Sequence, residues 1–227
     1  MTRLITSYFN RLAPHYDAAT GLQGAWIAPA ECARLLRGRL KARTRILDLG
    51  IGTGADLMAI TSVRKDVVGI DISKRMLNHA RLKLPRARLI LADIEKPLPM
   101  PRDANFDLVL AVGVLEFVEN LTEVFRHIIP HLHERGLVCF TFEEQIVQHP
   151  LQGRRRSARG TGIYRHVPRT LSFPVYRRKW LEIRKLLRAQ GLVTLEHHRF
   201  RAYTLRNQNT GAKHAVIYRV VLAQKEG

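Results

Sequence analysis

The stretch Ile46-Leu47-Asp48-Leu49-Gly50-Ile51-Gly52-Thr53-Gly54 constrains this chain more than any other, because an apolar strand runs straight into a turn built on three glycines. A backbone that leaves a sheet this sharply and passes close to a ligand has no room for a Cβ, and glycine supplies both the turn and the approach. The theme repeats downstream. Val67-Val68-Gly69-Ile70 reads as a second buried strand ending at Asp71-Ile72, with Ser73 placed as a helix N-cap. Residues 87–92 end at Asp93-Ile94, and the apolar run 106–112 ends at Val112, followed by Gly113-Val114-Leu115-Glu116-Phe117.

Strands are expected at 45–49, 67–71, 87–92, 106–112 and 136–142, the last opened by Gly136, with helices over 55–63, 73–84 and 119–132 between them. Such alternation argues for βαβ units and a parallel sheet. Ahead of them, helices are expected over 2–16 and 29–42; Pro29 suits a first turn, and Cys32, Leu35, Leu36 and Leu40 recur at helical spacing. Residues 145–176 break the rhythm with a long run rich in glycine, proline and arginine, which within a compact domain is functional or disordered. Beyond it, Trp180, Ile183 and Leu187 mark one face of a helix over 177–190 closed by Gly191, and strands over 192–203 and 215–223, joined by the polar turn 207–211, pair antiparallel. The chain divides into a helical cap, 1–44, and a domain, 45–227, that carries a basic lid at 145–176. There are no internal repeats.

The ordered series of strands, each ending in an acid or a glycine, resembles class I S-adenosylmethionine-dependent methyltransferases through roughly residues 45–142. Gly50-x-Gly52-x-x-Ala55 with Asp71 about twenty residues on also fits the dinucleotide fingerprint. The antiparallel ending, with Asp48 and Asp93, turns the reading away from a nicotinamide or flavin enzyme. The resemblance implies an α/β, Rossmann-like fold with a mostly parallel seven-stranded sheet, and S-adenosylmethionine as cofactor. It sets Gly50, Gly52 and Gly54 and the backbone near Ala111 and Val112 at the methionyl part, Asp71 with Ile72 at the ribose, and Asp93 with Ile94 at the adenine. Asp48 either touches the ligand or braces the glycine loop. Met76 lies against the adenosine or simply fills the core. The segment Tyr8 to Asp17 resembles the opening of many small-molecule methyltransferases, where this helix folds over the cofactor. Tyr16 would then shield the methionine end and Tyr8 or Phe9 would line the acceptor side; packing of the cap is the competing account and, for Phe9, the preferred one. Trp26 suits either purpose.

Methyl transfer from a sulfonium is an in-line displacement, in which positioning and exclusion of water matter most. Candidates for direct chemistry are Tyr16, Glu116 after the fourth strand, and His149, which with His166 flanks the arginine-rich run; Glu143 and Glu144 follow the fifth strand. None is a strong general base on sequence alone, and an already nucleophilic acceptor needs only positioning.

Charge narrows the acceptor. The chain carries a net +19, distributed as +6 over 1–45, −2 over 46–150, +13 over 151–206 and +2 beyond. The cofactor-binding core is therefore slightly acidic, while the two segments that border the acceptor entrance in methyltransferases of this type hold the excess. An anionic small molecule, or an anionic group on a quinone or lipid precursor, is the expected acceptor. Arg154, Arg155, Arg156 and Arg159 are equally suited to nucleic-acid phosphates or to an anionic membrane surface, and a plain arginine-loaded surface is the bland alternative. The rival functions are an RNA or protein methyltransferase docking through this lid, and a basic nucleic-acid-binding protein without turnover. There is no Asn/Asp-Pro-Pro-Tyr after the fourth strand, as methylation of adenine amines would need, and neither Cys32 nor Cys139 is placed for attack on a pyrimidine. Two distant cysteines give no disulfide framework or zinc signature. With no secretion signal and no apolar run of membrane length, the cytoplasm is the default expectation.

Overall fold

The computed structural model describes residues 2–21, 26–62, 66–146, 157–160, 173–206, 211 and 213–227. Seven strands form the main sheet: β1 (Ile46–Leu49), β2 (Val67–Asp71), β3 (Arg88–Leu91), β4 (Phe106–Ala111), β5 (Leu132–Glu143), β8 (Leu192–Arg206) and β9 (Lys213–Lys225). Their order is β3-β2-β1-β4-β5-β9-β8, with β1 to β5 parallel and β9 antiparallel to both β5 and β8. The predicted fold class is therefore the observed one. β1 is buried along its whole length, as a central parallel strand covered on both faces must be, whereas β3 at the edge keeps Arg88 and Leu91 exposed.

The helices are α1 (Thr2–Leu12), α2 (Tyr16–Gly21), α3 (Ala28–Leu36), α4 (Ala55–Ile60), α5 (Lys74–Lys83), α6 (Leu121–Ile128) and α7 (Trp180–Ala189). On one face of the sheet, Val124, Phe125 and Ile128 of α6 and Ile183 and Leu187 of α7 pack against Val109, Val138 and Phe140. On the other, Cys32, Leu35 and Leu36 of α3 and Leu57 of α4 cover Ile46, Leu108 and Cys139. α5 starts where Ser73 accepts a hydrogen bond from the Met76 N–H at 3.1 Å, the expected N-cap. Gly191, with φ +67°, lies one residue past the Gln190 cap of α7.

Several boundaries differ from expectation, each for a local reason. The first helix stops at Leu12, because Pro14 lacks an N–H and its ring crowds the preceding turn; a 3-10 turn over Ala13–His15 leads into α2. α3 ends at Leu36 rather than 42, where Arg37 turns extended and Gly38 takes φ +73°. α6 is shortened by Pro130, which sits in a 3-10 turn. β5 begins at Leu132, four residues early, but its pairing with β4 jumps from Leu132 to Leu137, so the bulge between them holds Gly136 near where the strand was expected to open. Both strands of the final hairpin run longer than expected.

The expectation that 145–176 lacks regular structure is corrected in part. β6 (Ser157–Gly160) and β7 (Phe173–Tyr176) pair antiparallel as a separate two-stranded ribbon, with Ser157 opposite Tyr176. Val175 of β7 packs against the cluster of Ile5, Tyr8, Leu12 and Met76. The ribbon base is thus tied to α1.

Candidate functional site

Strand order reverses between β1 and β4, since β2 and β3 lie to one side and β5 to the other. Loops diverge at such a point and leave a crevice at the carboxyl ends of the strands. A cleft lies there, walled by Gly50, Gly52 and Thr53 after β1, Asp71 and Ile72 at β2, Asp93, Ile94 and Glu95 after β3, and Val112 to Val114 after β4. Thr2, Ile5 and Phe9 of α1, with Tyr16, form its roof, and Met76 completes a side. Nine of the predicted cofactor residues share this one cleft: Tyr16, Gly50, Gly52, Asp71, Ile72, Met76, Asp93, Ile94 and Val112.

The glycine loop is pinned to β2. Gly50 N–H and Ile51 N–H donate to the Ile70 carbonyl at 2.7 and 3.0 Å, and Gly52 N–H donates to Asp71 Oδ2 at 2.9 Å. Ser73 N–H donates to Asp71 Oδ1 at 2.7 Å, so one carboxylate holds the loop and the start of α5 together. Gly50 has φ +69°, and a Cβ there would stand 2.5 Å from Val114 Cγ2; Gly52 has φ +56°, and a Cβ there would enter open space. Burial pushes the Asp71 carboxyl up to about 6, against the pull of the Ser73, Gly52 and Ile72 N–H groups. Asp93 accepts from Glu95 N–H at 3.0 Å and from Thr2 Oγ1 at 3.3 Å.

Asp48 and Gly54 lie outside the cleft lining. Asp48 is buried on β1, and burial, with Asp56 and Asp71 adding repulsion, holds its carboxyl well above the ordinary range. The loop N–H that finds a carboxylate finds Asp71. Gly54 has φ +79° and N-caps α4, and a Cβ there would meet Leu84 at 2.8 Å, so its role here is helix packing. The sequence reading missed Asp56, which lines the cleft and accepts from Trp26 Nε1 at 3.0 Å; burial pushes it up to about 6. Its position in the first turn after the glycine loop was the available signal. Also missed was Asp17, which accepts from Thr53 Oγ1 at 2.5 Å and pairs with Lys83; these hydrogen bonds outweigh burial and hold it below its usual value. The cap is thereby clasped to the glycine loop, while Asn10 Oδ1 accepts from Ser73 Oγ at 2.8 Å and Arg75 N–H at 3.1 Å.

Beside the cleft, the tips of β4 and β5, the middle of β9 and the start of α7 form a polar corner. Glu116 is 4% exposed and accepts from Tyr218 Oη at 2.7 Å. Trp26 meets Tyr218 edge-on at 5.4 Å and leaves no space for a Cβ on Gly113. The Arg178 guanidinium donates to the carbonyls of Leu115 at 3.0 Å, Tyr176 at 3.2 Å and Glu119 at 3.3 Å, and to that of Val118. It ties the ribbon base to the turn that presents Phe117 and Val118 to the cleft. Glu143 pairs with Arg177, and Glu144 with Arg199 and Arg219.

Of the candidates for chemistry, Tyr16 lines the cleft, Glu116 is buried outside its lining, and His149 falls outside the described residues. His166 and Arg154 to Arg156 also fall outside them, and Arg159 is placed only as backbone in β6. Among the described residues no group of His, Cys, Asp and Glu is arranged to hold a metal, and no helix is long and apolar enough to cross a membrane.

Residues 47–140 match the family described as methyltransferase domain. A demethylmenaquinone methyltransferase of Tropheryma whipplei is 37% identical over 125 residues, which is 53% of this chain and 51% of that protein. The chain thus matches about half the length of this curated relative. Among solved structures, the [4+2]-cyclase SpnF superposes with TM-score 0.71 at 16% identity over 100% of this chain and 97% of the other. A Burkholderia thailandensis 1,6-didemethyltoxoflavin-N1-methyltransferase, solved with 1,6-didemethyltoxoflavin and S-adenosylhomocysteine, does so with TM-score 0.67 at 16% identity, covering 99% and 88%. At such identity the structures speak for the fold, and a cyclase among them is a reminder that fold and chemistry separate. Residues 47–140 thus carry a methyltransferase domain, and strand order and cleft are similar to those of class I S-adenosylmethionine-dependent methyltransferases.

Proposed function

We propose that this protein transfers the methyl group of S-adenosylmethionine to a small molecule that is anionic or carries an anionic neighbour, such as a quinone or lipid precursor. The observation that carries the reading is the single cleft in which residues from four strand ends and the cap converge. Its residues fit the cofactor. The space above Gly52 is a cradle that a Cβ would fill, so the loop backbone would take the methionyl part. Asp71 and Asp93 supply carboxylate acceptors at the ends of β2 and β3, suited to ribose hydroxyls and the adenine amino group. When bound, the cofactor supplies an electrophilic methyl on a sulfonium sulfur. The chain itself orients and excludes water: Asp71 locks the loop, Tyr16 and Phe9 roof the cleft, and buried Met76 and Ile94 give it an apolar lining.

The charge distribution supports the anionic acceptor, because the +13 of residues 151–206 lies in the chain bracketing the ribbon and the polar corner. RNA or an anionic membrane is the competing partner for the same charge. Calorimetry with S-adenosylmethionine and S-adenosylhomocysteine tests the cofactor site; Asp71→Ala should weaken binding about 100-fold, a charge-assisted contact of the size expected for a buried carboxylate. Reversing Arg154 to Arg156 should spare cofactor affinity and impair use of the acceptor found by labelling a small-molecule extract of the host. Steeply salt-dependent RNA binding without cofactor affinity would instead favour the nucleic-acid reading.

A further inference from the structure

Three buried polar atoms at the corner beside the cleft have no hydrogen-bond partner among the described residues: Glu116 Oε2, Gln145 Oε1 and Arg177 Nη1. Buried polar atoms in folded proteins are nearly always paired, because each orphan costs its full desolvation. Here one donor and two acceptors are left over in elements that meet at one place. Gln145 N–H donates to the Arg178 carbonyl at 2.9 Å, and Arg178 N–H donates to the Glu143 carbonyl at 3.3 Å, so the ends of β5 and β7 are stitched together. Arg177 pairs with Glu143 through Nε, which leaves Nη1 over, and its side chain is only 10% exposed. Glu116 stands between Leu115 and Phe117, the residue that walls the cleft and meets Phe9 edge-on at 5.1 Å.

We propose that these atoms form the subsite for the methyl acceptor's polar group, that the acceptor carries a phenolic or enolic hydroxyl beside a second oxygen, and that Glu116 takes the hydroxyl proton. The proposal rests on the methyl-transfer reading above. Arg177 Nη1 and the carboxamide of Gln145 would meet the second oxygen and its neighbours, and Phe117, which follows Glu116 and lines the cleft, would turn aside to join subsite and cleft. The step balances. The hydroxyl O–H bond breaks and its proton passes to Glu116 Oε2, the oxygen lone pair forms the new O–CH3 bond, and the methyl–sulfur bond breaks with its electron pair kept on sulfur. Glu116 then gives the proton to solvent.

The groups facing Glu116 suit this exchange. Tyr218 from β9 donates to Oε1, Glu143 from β5 repels, and Arg178 beyond β7 attracts. Burial, the largest influence, pushes its carboxyl up to about 7, helped by Glu143 and opposed by Tyr218 and Arg178. A group of that pKa is ionised often enough near neutrality to accept a proton and basic enough to keep it. A preformed carboxylate acceptor would have no use for such a base, which is how the proposal narrows the acceptor beyond negative charge alone.

Two measurements test it. Carbon-13 NMR on glutamate-labelled protein, with Glu116→Gln used to assign the signal, should show one carboxyl titrating near neutrality, and Tyr218→Phe should move that titration upward by removing a donor to the charged form. An ordinary titration near that of a surface glutamate overturns the proposal. Second, isotope-labelled S-adenosylmethionine is incubated with small-molecule extract. Glu116→Gln should lower formation of the wild-type labelled product about 100-fold or more and abolish the acidic limb of the pH profile, with S-adenosylhomocysteine affinity within twofold of wild type. The methyl should sit on a hydroxyl oxygen. Unchanged rate in Glu116→Gln, or a methyl ester, overturns this proposal alone. No labelled product from the wild type overturns methyl transfer itself and this proposal with it.

Discussion

The cofactor cleft and the polar corner lie side by side, yet they are assembled in opposite ways. The cleft is built from short local motifs, each a strand end with the few residues that follow it, and its key hydrogen bonds lie within one strand end, Ser73 to Asp71 and Glu95 to Asp93, or join neighbouring ones, Gly52 to Asp71. The corner is built from residues far apart in the chain, with Glu116 on Tyr218, Arg178 on Leu115 and Val118, and Arg177 on Glu143. The first arrangement serves a ligand common to a whole family. On the proposed reading the second would let the acceptor side vary with little disturbance of the sheet, since apart from Glu143 at the tip of β5 its side chains come from loops and from the hairpin added after β5.

The comparison can be broken at several points. The largest effect is expected from Gly50→Val, which forces a β-branched residue into φ +69° with Val114 already 2.5 Å from the new Cβ; urea unfolding should show a loss of ~3 kcal/mol or more, with S-adenosylhomocysteine binding undetectable. Next comes pH. Asp56 and Asp71, pushed up to about 6, and Glu116, up to about 7, sit above the values of an unfolded chain. The folded state then keeps protons that the unfolded chain has released, so stability is highest at the acid end of this window and falls as pH climbs from roughly 4 to 7. The melting temperature of the ligand-free protein should decline across that range, with Asp71→Asn removing the cleft's share below pH 6 and Glu116→Gln the corner's share up to pH 7. A melting temperature that rises over the window would contradict the burial of these acids.

Arg178→Ala should cost about 2 kcal/mol in urea unfolding, because it strips a charged donor from four carbonyls. If cleft and corner are separable, cofactor affinity should change by less than about tenfold, through the loosened Phe117 wall alone. The smallest effect belongs to Thr2→Ala. Its 3.3 Å bond to Asp93 is exposed, so stability should move by less than about 0.5 kcal/mol. A larger loss of cofactor affinity would show that the cap helps to orient Asp93.

How much was legible follows the same division. The mostly parallel sheet with its antiparallel ending, the cleft and nine of its residues could be read from the sequence, because glycine at a positive φ and an acid at a strand end leave marks at fixed spacing. Asp48 and Gly54 belong to the same motif but lie outside the cleft lining, which burial and helix packing decide and spacing does not. Helix ends were misread where Pro14, Arg37 and Pro130 stop a periodic pattern early. The ribbon of β6 and β7 was invisible because so short a pairing, between segments twelve residues apart, has no periodicity to betray it.

By itself, the sequence determined the parallel sheet with its antiparallel tail and the place where a nucleoside-bearing ligand belongs, since strand burial and tight glycine turns are local demands on residue type. Only the tertiary structure decided that Asp71 rather than Asp48 holds the loop, that the cap is clasped by Asp17 and Asn10, and that Glu116 is buried against Tyr218 with one oxygen left over. Those facts depend on which side chains distant in sequence the fold brings together and buries, and no spacing along the chain encodes that.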